Sequence, residues 1–343
     1  MKKNSIIYLT VIGLISLFSG CKKDMTNVVI SDSVVAPTIV TMPNLTLTRP
    51  NAANTLTFVG TPVDPGFKAS ATYILEACAH GNAFADALTI LSQVQDTSMK
   101  ITVADLNGIL LKKFPPDQVS SVDFRIRSVL VLDAGTGYTP MVYISPIKTA
   151  DVTPYGLPRL DLIGSGKEQK IESAAGDGKY KGFVKLAVAN PFTLKDPDAG
   201  TIYGDNAGAL KVNGTPIPVP TSTGSGWYQL SADTKALTYK EDPYMIGLVG
   251  TSTPNGWDVP DQKMDYDSKT GTWVITIDLV PGVFKFRRND GWACNMGQAD
   301  SGVYGELKQG GVGNDIPLAA AGNYTIAFTI LNDNAGTFTI KKN

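Results

Sequence analysis

Histidine, cysteine and net charge are all scarce in this chain of 343 residues. His80 is the one histidine, and histidine is the side chain that proteins use most as a general base or zinc ligand. The 30 Lys and Arg residues are balanced by 31 Asp and Glu residues, which gives a net charge of −1. Without a basic field, nucleic acid is disfavoured as a partner, and the composition argues against a histidine-based enzyme.

The three cysteines, Cys21, Cys78 and Cys294, are too few for a disulfide framework. Cys78 and Cys294 are predicted to be buried free thiols, with a disulfide between them as the alternative. Charged residues make up only 18% of the chain, whereas 43% is hydrophobic and there are 34 glycines and 21 prolines. This composition is typical of many short strands joined by tight turns.

The first residues predict a secreted protein. A basic start, residues 1–4, precedes an uncharged apolar run, residues 5–19, that is too short for a membrane-spanning helix but suits a secretory signal. The run ends in Leu-Phe-Ser-Gly before Cys21, which resembles the lipobox of bacterial lipoproteins. That resemblance implies a signal peptide over residues 1–20, an acylated Cys21 and a lipidated tether over 21–38. An ordinary cleaved signal or a non-cleaved anchor is the alternative.

Residues 39–153 predict an immunoglobulin-like sandwich of roughly seven short strands. Apolar and polar residues alternate with period two, as in half-buried strands. The segments with this pattern, or with a similar strand-like composition, are 45–48, 55–59, 71–77, 122–129 and 141–145. A short helical segment is expected over residues 108–114, ended by Pro115 and Pro116, and a linker over residues 153–158.

The remaining chain contains an internal repeat, which predicts two tandem β-sandwiches over residues 157–242 and 243–343. The fold class is therefore all-β, with three tandem β-sandwich domains after the signal. The matched segments are 182–186 with 272–277, 192–195 with 284–287, 203–205 with 296–298, 214–219 with 313–318, 227–230 with 323–326, and 236–240 with 337–341.

The last module carries the residues from which a chemistry can be inferred. Trp257 lies in the turn Pro-Asn-Gly-Trp-Asp, and Trp292 follows Asp290-Gly291. Strand alternation over residues 282–287 places Phe284 and Phe286 in the core, so Lys285 and Arg287 are expected to project outward together. Sugars have apolar C–H faces and polar edges, and a site for them needs a flat aromatic surface with donors and acceptors at its rim.

The order Gly256-Trp257, Phe284-Lys285-Phe286, Asp290-Gly291-Trp292, Asn314-Asp315-Ile316 and Ala321-Gly322-Asn323-Tyr324 resembles the carbohydrate-binding domains of the SusE/SusF family. The lipobox and the N-terminal sandwich agree with that family of outer-membrane starch-utilisation lipoproteins. The resemblance implies a non-catalytic, surface-anchored protein that holds α-glucan or a related polysaccharide near a TonB-dependent transporter and its lid lipoprotein. It assigns stacking to Trp257 and hydrogen bonding to Lys285 and Asn314, with Arg287 and Trp292 as weaker candidates.

Each of these residues also has a purely structural interpretation. Trp257 and Trp292 could pack their own loops, Lys285 and Arg287 could be ordinary solvated strand residues, and Asn314 could be a turn residue. The middle module is predicted to be a degenerate copy, because Thr193 stands in place of Lys285 and no aromatic residue matches Trp257. Trp227 and Trp273 are expected to be structural.

Two other functions remain open from the sequence. One is a structural or accessory lipoprotein of a transporter complex without glycan affinity of its own. The other is a glycosidase, which is disfavoured because no nucleophile–base constellation is visible. No cofactor or metal is expected: His80 has no partner cluster, and Asp258, Asp261 and Asp265 lack the loop spacing of a recognised calcium site. The identity of the glycan is left open.

Overall fold

The computed structural model describes residues 30–67, 69–131, 140–310, 314–332 and 334–343. The chain divides into two compact units between Tyr155 and Gly156, inside the predicted linker. The predicted signal peptide and Cys21 lie outside the described residues. Within the described ranges, no helix is both long enough and apolar enough to cross a membrane.

The first unit is a sandwich of two antiparallel sheets, as predicted. One sheet has the order β1-β2-β5, and the other has the order β4-β3-β6-β7 with β8 also paired to β6. Phe58, Leu75 and Phe124 are fully buried in its core. Its described elements are β1 (Ile39–Thr41), β2 (Thr55–Gly60), β3 (Ser70–Ala79), β4 (Leu88–Val94), β5 (Ser98–Thr102), α1 (Val103–Leu110), β6 (Ser120–Val131), β7 (Met141–Ile144) and β8 (Lys148–Val152), with a 3-10 turn at Arg49–Asn51.

The predicted helix over residues 108–114 is displaced: α1 starts five residues earlier, at Val103. Thr102 caps it, because its hydroxyl accepts a hydrogen bond from the Asp105 N–H at 3.1 Å. The helix ends at Leu110, before the prolines that were expected to end it. The cap, rather than the breaker, therefore sets the position of this helix.

Two further segments of the first unit differ from their predictions. The expected strand over residues 45–48 contains only one bridge, from Thr46 to Thr153, although Leu45 and Leu47 are buried. The end of the predicted tether is hydrogen-bonded to the unit: Ser31 N–H donates to Pro65 O, and Val35 pairs with Asp64. Cys78 is a buried free thiol, as predicted, whereas Cys294 is only partly buried.

The second unit contains two antiparallel sheets. The first has the order β14-β13-β12-β9-β10-β11-β15-β16, and the second has the order β18-β17-β21-β22-β23-β26-β25-β20-β19, with β24 paired to β21. The strands are β9 (Arg159–Ile163), β10 (Lys170–Glu172), β11 (Lys179–Leu186), β12 (Thr193–Lys195), β13 (Ile202–Asn206), β14 (Ala209–Val212), β15 (Gly226–Asp233), β16 (Thr238–Pro243), β17 (Ile246–Val249), β18 (Gln262–Lys263), β19 (Asp265–Asp267), β20 (Thr272–Leu279), β21 (Gly282–Arg288), β22 (Gly291–Gln298), β23 (Glu306–Gln309), β24 (Ile316–Leu318), β25 (Gly322–Asn332) and β26 (Ala335–Lys342).

The internal repeat is confirmed at the level of strands and turns, including one close backbone approach. In the second sheet, the N–H of Gln298, the residue after Gly297, donates to Asn314 O at 2.6 Å. A Cβ at Gly297 would lie 2.1 Å from that oxygen. The first sheet repeats the arrangement, because the Asp205 N–H donates to Thr215 O at 2.6 Å. A Cβ at Gly204 would lie 2.3 Å from the Thr215 oxygen. Glycine is thus required at the same place in both copies.

The two sheets of the second unit have separate cores that meet at an aromatic cluster. We define this cluster as Phe183, Trp227, Tyr244, Tyr266 and Trp273. The Trp227 and Trp273 ring centroids are 5.6 Å apart, and those of Phe183 and Tyr244 are 4.7 Å apart. Trp273 is almost fully buried, and the Trp227 Nε1–H donates to Asp265 Oδ1 at 2.9 Å. Both tryptophans are structural, as predicted, and the domain boundary at residues 242/243 stays a prediction.

Candidate functional site

The candidate site lies on the face of β17, β21 and β22 that is turned away from the core. Phe284 and Phe286 of β21 are buried in the core, so alternation turns Lys285 and Arg287 to the opposite face, as predicted. In register, Arg287 lies between Gly247 of β17 and Asn295 of β22. Trp292, at the start of β22, and the loop that carries Trp257 lie over this face.

Trp257 and Trp292 form a pair on this face. Their ring centroids are 5.9 Å apart and their planes are inclined by 42°. Trp257 is half-buried, whereas Trp292 at the start of β22 is 51% exposed. The turn before β22 holds Asn289 and Asp290 at φ of 53° and 58°, a conformation that asparagine and aspartate tolerate well. This turn leads directly into Trp292, whose large apolar ring is in contact with water.

Arg287 lies beneath Trp292 rather than in solvent. Its Cζ is 4.4 Å from the Trp292 ring centroid, within cation–π distance. Its Nε donates to the Asp261 carboxylate at 3.0 and 3.1 Å, and its Nη2 bonds the same group. Arg287 is only 2% exposed, so the expectation that it projects into water is wrong. The physical reason is that the loop before β18 covers β17 at Gly247, where a Cβ would lie 2.5 Å from the Asp261 Cβ.

Lys285 is also buried, at 5% exposure, and the expectation of a solvated side chain is wrong for it too. Its Nζ is 3.4 Å from Asp315 Oδ1, contributed by the segment before β24. Asn314, next to Asp315, is 9% exposed, and its Nδ2 donates to Gly310 O at 2.5 Å. Its Oδ1 is buried without a hydrogen-bond partner in the described part of the chain. Asn314 thus shapes a turn, and its unused acceptor is enclosed rather than open to solvent.

The five predicted residues therefore form two clusters on one face. Trp257, Trp292 and Arg287 are linked by ring contacts. Lys285 and Asn314 are grouped around Asp315 on the neighbouring part of the sheet. Whether these residues bind a glycan stays a prediction.

Sequence reasoning missed Asp261 and Asp290 as members of the face. Asp290 Oδ1 accepts from the Asp261 N–H at 2.8 Å and bonds Lys263 Nζ. Burial alone would raise the pKa of Asp290, but these hydrogen bonds and the charges of Lys263 and Arg287 hold its pKa below the usual range. The signal for Asp290 was its place in the Asp290-Gly291-Trp292 segment. Strand alternation contained none for Asp261, because it does not show which loop covers a strand.

The aspartates considered as calcium candidates are dispersed. Asp261 pairs with Arg287, whereas Asp265 pairs with Lys185 and Trp227. Asp258 is exposed. Across the described ranges, no group of three or more His, Cys, Asp or Glu side chains is placed to hold a metal ion. His80 lies at the surface, where its Nδ1 is 2.9 Å from Asp123 Oδ1. Hydrogen bonds to the Asp123 carboxylate from His80, from the Thr149 hydroxyl and from the Gly81 N–H lower the pKa of Asp123 to about 2, and that of His80 has the largest effect.

The equivalent face of the first sheet lacks these features. By register, Thr193 and Lys195 of β12 pair with Ile163 and Asp161 of β9, as Lys285 and Arg287 pair with Val249 and Gly247. Lys195 is exposed, unlike Arg287. The structure thus agrees with a changed face in the middle module.

Comparison with known proteins bears on the first unit. Residues 23–127 match the family model described as SusE outer membrane protein. No curated protein matches the chain. The crystal structure of SusF from Bacteroides thetaiotaomicron is similar at 14% sequence identity and a TM-score of 0.29, over 90% of this chain and 77% of that chain. The family match ends before the tryptophan face begins, and it confirms the family resemblance expected from the sequence. Residues 23–127 are thus similar to the family described as SusE outer membrane protein.

Proposed function

We propose that this protein is an outer-membrane lipoprotein that binds polysaccharide without catalysis, through Trp257 and Trp292. The observation that carries the proposal is the tryptophan pair, in which a half-exposed indole is backed by a buried arginine. An exposed large aromatic ring held in place by its neighbours is a feature of binding surfaces rather than of protein cores.

Sugar rings suit this surface chemically. Their apolar C–H faces can stack on the indoles, while their hydroxyls need acceptors and donors at the rim. The Asp315 carboxylate, whose side chain is 34% exposed, offers an acceptor beside Lys285. The face thus combines an apolar surface with an acceptor that solvent can reach.

The shape of the tryptophan pair favours a curved glycan. The two rings are inclined by 42°, so they form a bent surface rather than a flat one. Successive sugars in a helical α-glucan present inclined faces, whereas those of an extended, ribbon-like chain present nearly coplanar ones. We therefore favour α-glucan as the substrate class.

The family match supports the location, since the matched family is described as an outer membrane protein. Acylation of Cys21 would supply the anchor, because two or more acyl chains hold a protein stably at a membrane. In this position the protein would present glycan to a TonB-dependent transporter and its lid lipoprotein.

Affinity electrophoresis of the soluble chain starting after Cys21, in gels with and without soluble starch, tests the proposal. Trp292→Ala and Trp257→Ala should each lose most of the retardation by starch, because truncating a central tryptophan costs about 2 kcal/mol or more of binding free energy. Tyr304→Ala is the matched control: Tyr304 is equally exposed, lies in the turn between β22 and β23, and packs its ring on Phe338. Equal retardation of all variants and wild type would contradict the proposed site.

An accessory role without glycan affinity is the second candidate function. It is favoured by the ion pairs that engage Lys285 and Arg287, two of the predicted ligands. A folded wild-type protein that no polysaccharide gel retards would support this role instead.

A further inference from the structure

The buried position of Arg287 separates its role from that of a sugar ligand. Its side chain is 1% exposed and that of Asp261 is fully buried. A guanidinium enclosed in this way offers no donor to a bound sugar. We propose that Arg287 and Asp261 are a positioning pair, which fixes the Trp292 ring in its binding orientation without touching the glycan. The effect on binding rests on the proposed function, whereas the effect on the ring does not.

The first step of the argument is the rigidity of the arginine. The planar guanidinium meets the Asp261 carboxylate through Nε and Nη2, a fork geometry that lysine cannot reproduce. Both groups lie in a low-dielectric environment, where charge-assisted hydrogen bonds are strong. The arginine side chain therefore has one orientation.

The second step is the rigidity of Asp261 itself. Its backbone N–H donates to Asp290 Oδ1 at 2.8 Å, and Asp290 also bonds Lys263. Its Cβ lies directly over Gly247, where any side chain would clash. Asp261 is thus held from two sides, by the turn before β22 and by the backbone of β17.

The third step connects the pair to Trp292. The guanidinium carbon lies 4.4 Å from the ring centroid, so one side of the indole rests on the arginine. The Trp292 backbone is fixed separately, because Asn295 Nδ2 donates to its carbonyl at 2.8 Å. Backbone and ring are both restrained before any ligand arrives, and preorganisation of this kind lowers the entropy lost on binding.

The test compares Arg287→Lys with Arg288→Lys in the soluble chain. Arg288 is the matched control, since it too stacks on an aromatic ring, that of Tyr244 at 5.0 Å, outside the tryptophan pair. Without ligand, Arg287→Lys should shift or broaden the indole ¹⁵N–¹H signal of Trp292, assigned with Trp292→Phe, and Arg288→Lys should leave it unchanged. An unchanged Trp292 signal in Arg287→Lys would overturn the proposal. If Arg287→Lys does not fold, the neutral pair Asp261→Asn with Arg287→Gln is read in the same way.

Binding of maltoheptaose supplies the second readout. Arg287→Lys should weaken binding about tenfold in the wild-type background, a size between those of an exposed and a fully desolvated cation–π contact. In the Trp292→Ala background it should change binding less than about twofold, because coupled residues are not additive. An equal loss in both backgrounds would show a direct sugar contact and overturn the proposal. If wild type binds no maltoheptaose, this α-glucan function fails, while the indole signal still decides the positioning role.

Discussion

At the scale of single residues, the two cations of β21 lie in different electrostatic environments although one residue separates them. Arg287 and its partner Asp261 are both withdrawn from water, whereas the side chain of Asp315, the partner of Lys285, is 34% exposed. Removing one member of a fully buried pair leaves an uncompensated charge, and removing one member of a partly solvated pair does not. The two pairs should therefore respond differently to substitution.

Asp261→Asn should lower the free energy of unfolding of the second unit by about 3–5 kcal/mol, because it leaves the buried Arg287 charge without a counter-ion. Lys285→Met keeps most of the apolar stem and leaves Asp315 hydrated, so it should cost about 1 kcal/mol or less. Urea unfolding followed by tryptophan fluorescence measures both, because all four tryptophans lie in the second unit. Equal losses for the two variants would refute the different burial of the pairs.

The directions of Lys285 and Arg287 were predictable from strand alternation, but their burial was not. Their counter-ions come from loops, with Asp261 lying 26 residues from Arg287 in the chain. Alternation describes one strand and contains no information on which loop covers it. The tryptophans could be selected by their turn contexts, but their mutual contact depends on how those loops pack.

At the scale of elements, β14 and β16, the two end strands of the first sheet of the second unit, come together. Leu210 N–H donates to Leu237 O at 2.9 Å there, and Glu241 pairs in register with the buried Leu230. Nearby, the Tyr239 hydroxyl donates to Asp205 Oδ1 at 2.7 Å. Burial raises the pKa of Glu241 to about 7, and the negative charges of Asp205 and Asp242 act in the same direction.

This raised pKa predicts a pH-dependent stability with a definite sign. Between the ordinary carboxyl pKa near 4.5 and about 7, the folded state binds more protons at Glu241 than the unfolded state. Stability should therefore fall as pH rises through this window. Glu241→Gln should remove that fall, so its advantage over wild type grows from pH 4 to pH 8 in urea unfolding. Glu168→Gln, an exposed control in the loop between β9 and β10, should show no such trend. A Glu241→Gln advantage that is independent of pH would contradict the prediction.

The recurrence of strands and turns in the second unit was predictable from the sequence, because its repeat aligns turns as well as apolar positions. The glycines at 204 and 297 carry a direct geometric reason for that alignment. The helix of the first unit starts before its predicted position because the Thr102 cap, bonded to Asp105, begins it at Val103. The prolines at 115 and 116 limit where a helix can end and do not determine where it starts.

At the scale of the whole molecule, the family match and the tryptophan face lie in different units. The aromatic cluster joins the two sheets of the second unit, with Asp265 bonded to both Lys185 and Trp227. The sequence could not predict this cluster, because each of its aromatic residues has the pattern of an ordinary core residue. The four tryptophans therefore fall into two groups, one on the face and one in the cluster.

Because one pair of tryptophans lies on the face and the other pair lies in the aromatic cluster, one measurement can test glycan binding by the face with an internal control. The four indole ¹⁵N–¹H signals of the soluble chain would be followed by NMR during titration with maltoheptaose. We predict that the signals of Trp257 and Trp292 shift in a saturable way, while those of Trp227 and Trp273 stay in place, because the last two are packed in the cluster. Saturable shifts confined to Trp227 and Trp273, or no shift at Trp257 and Trp292, would contradict the assignment of α-glucan binding to this face.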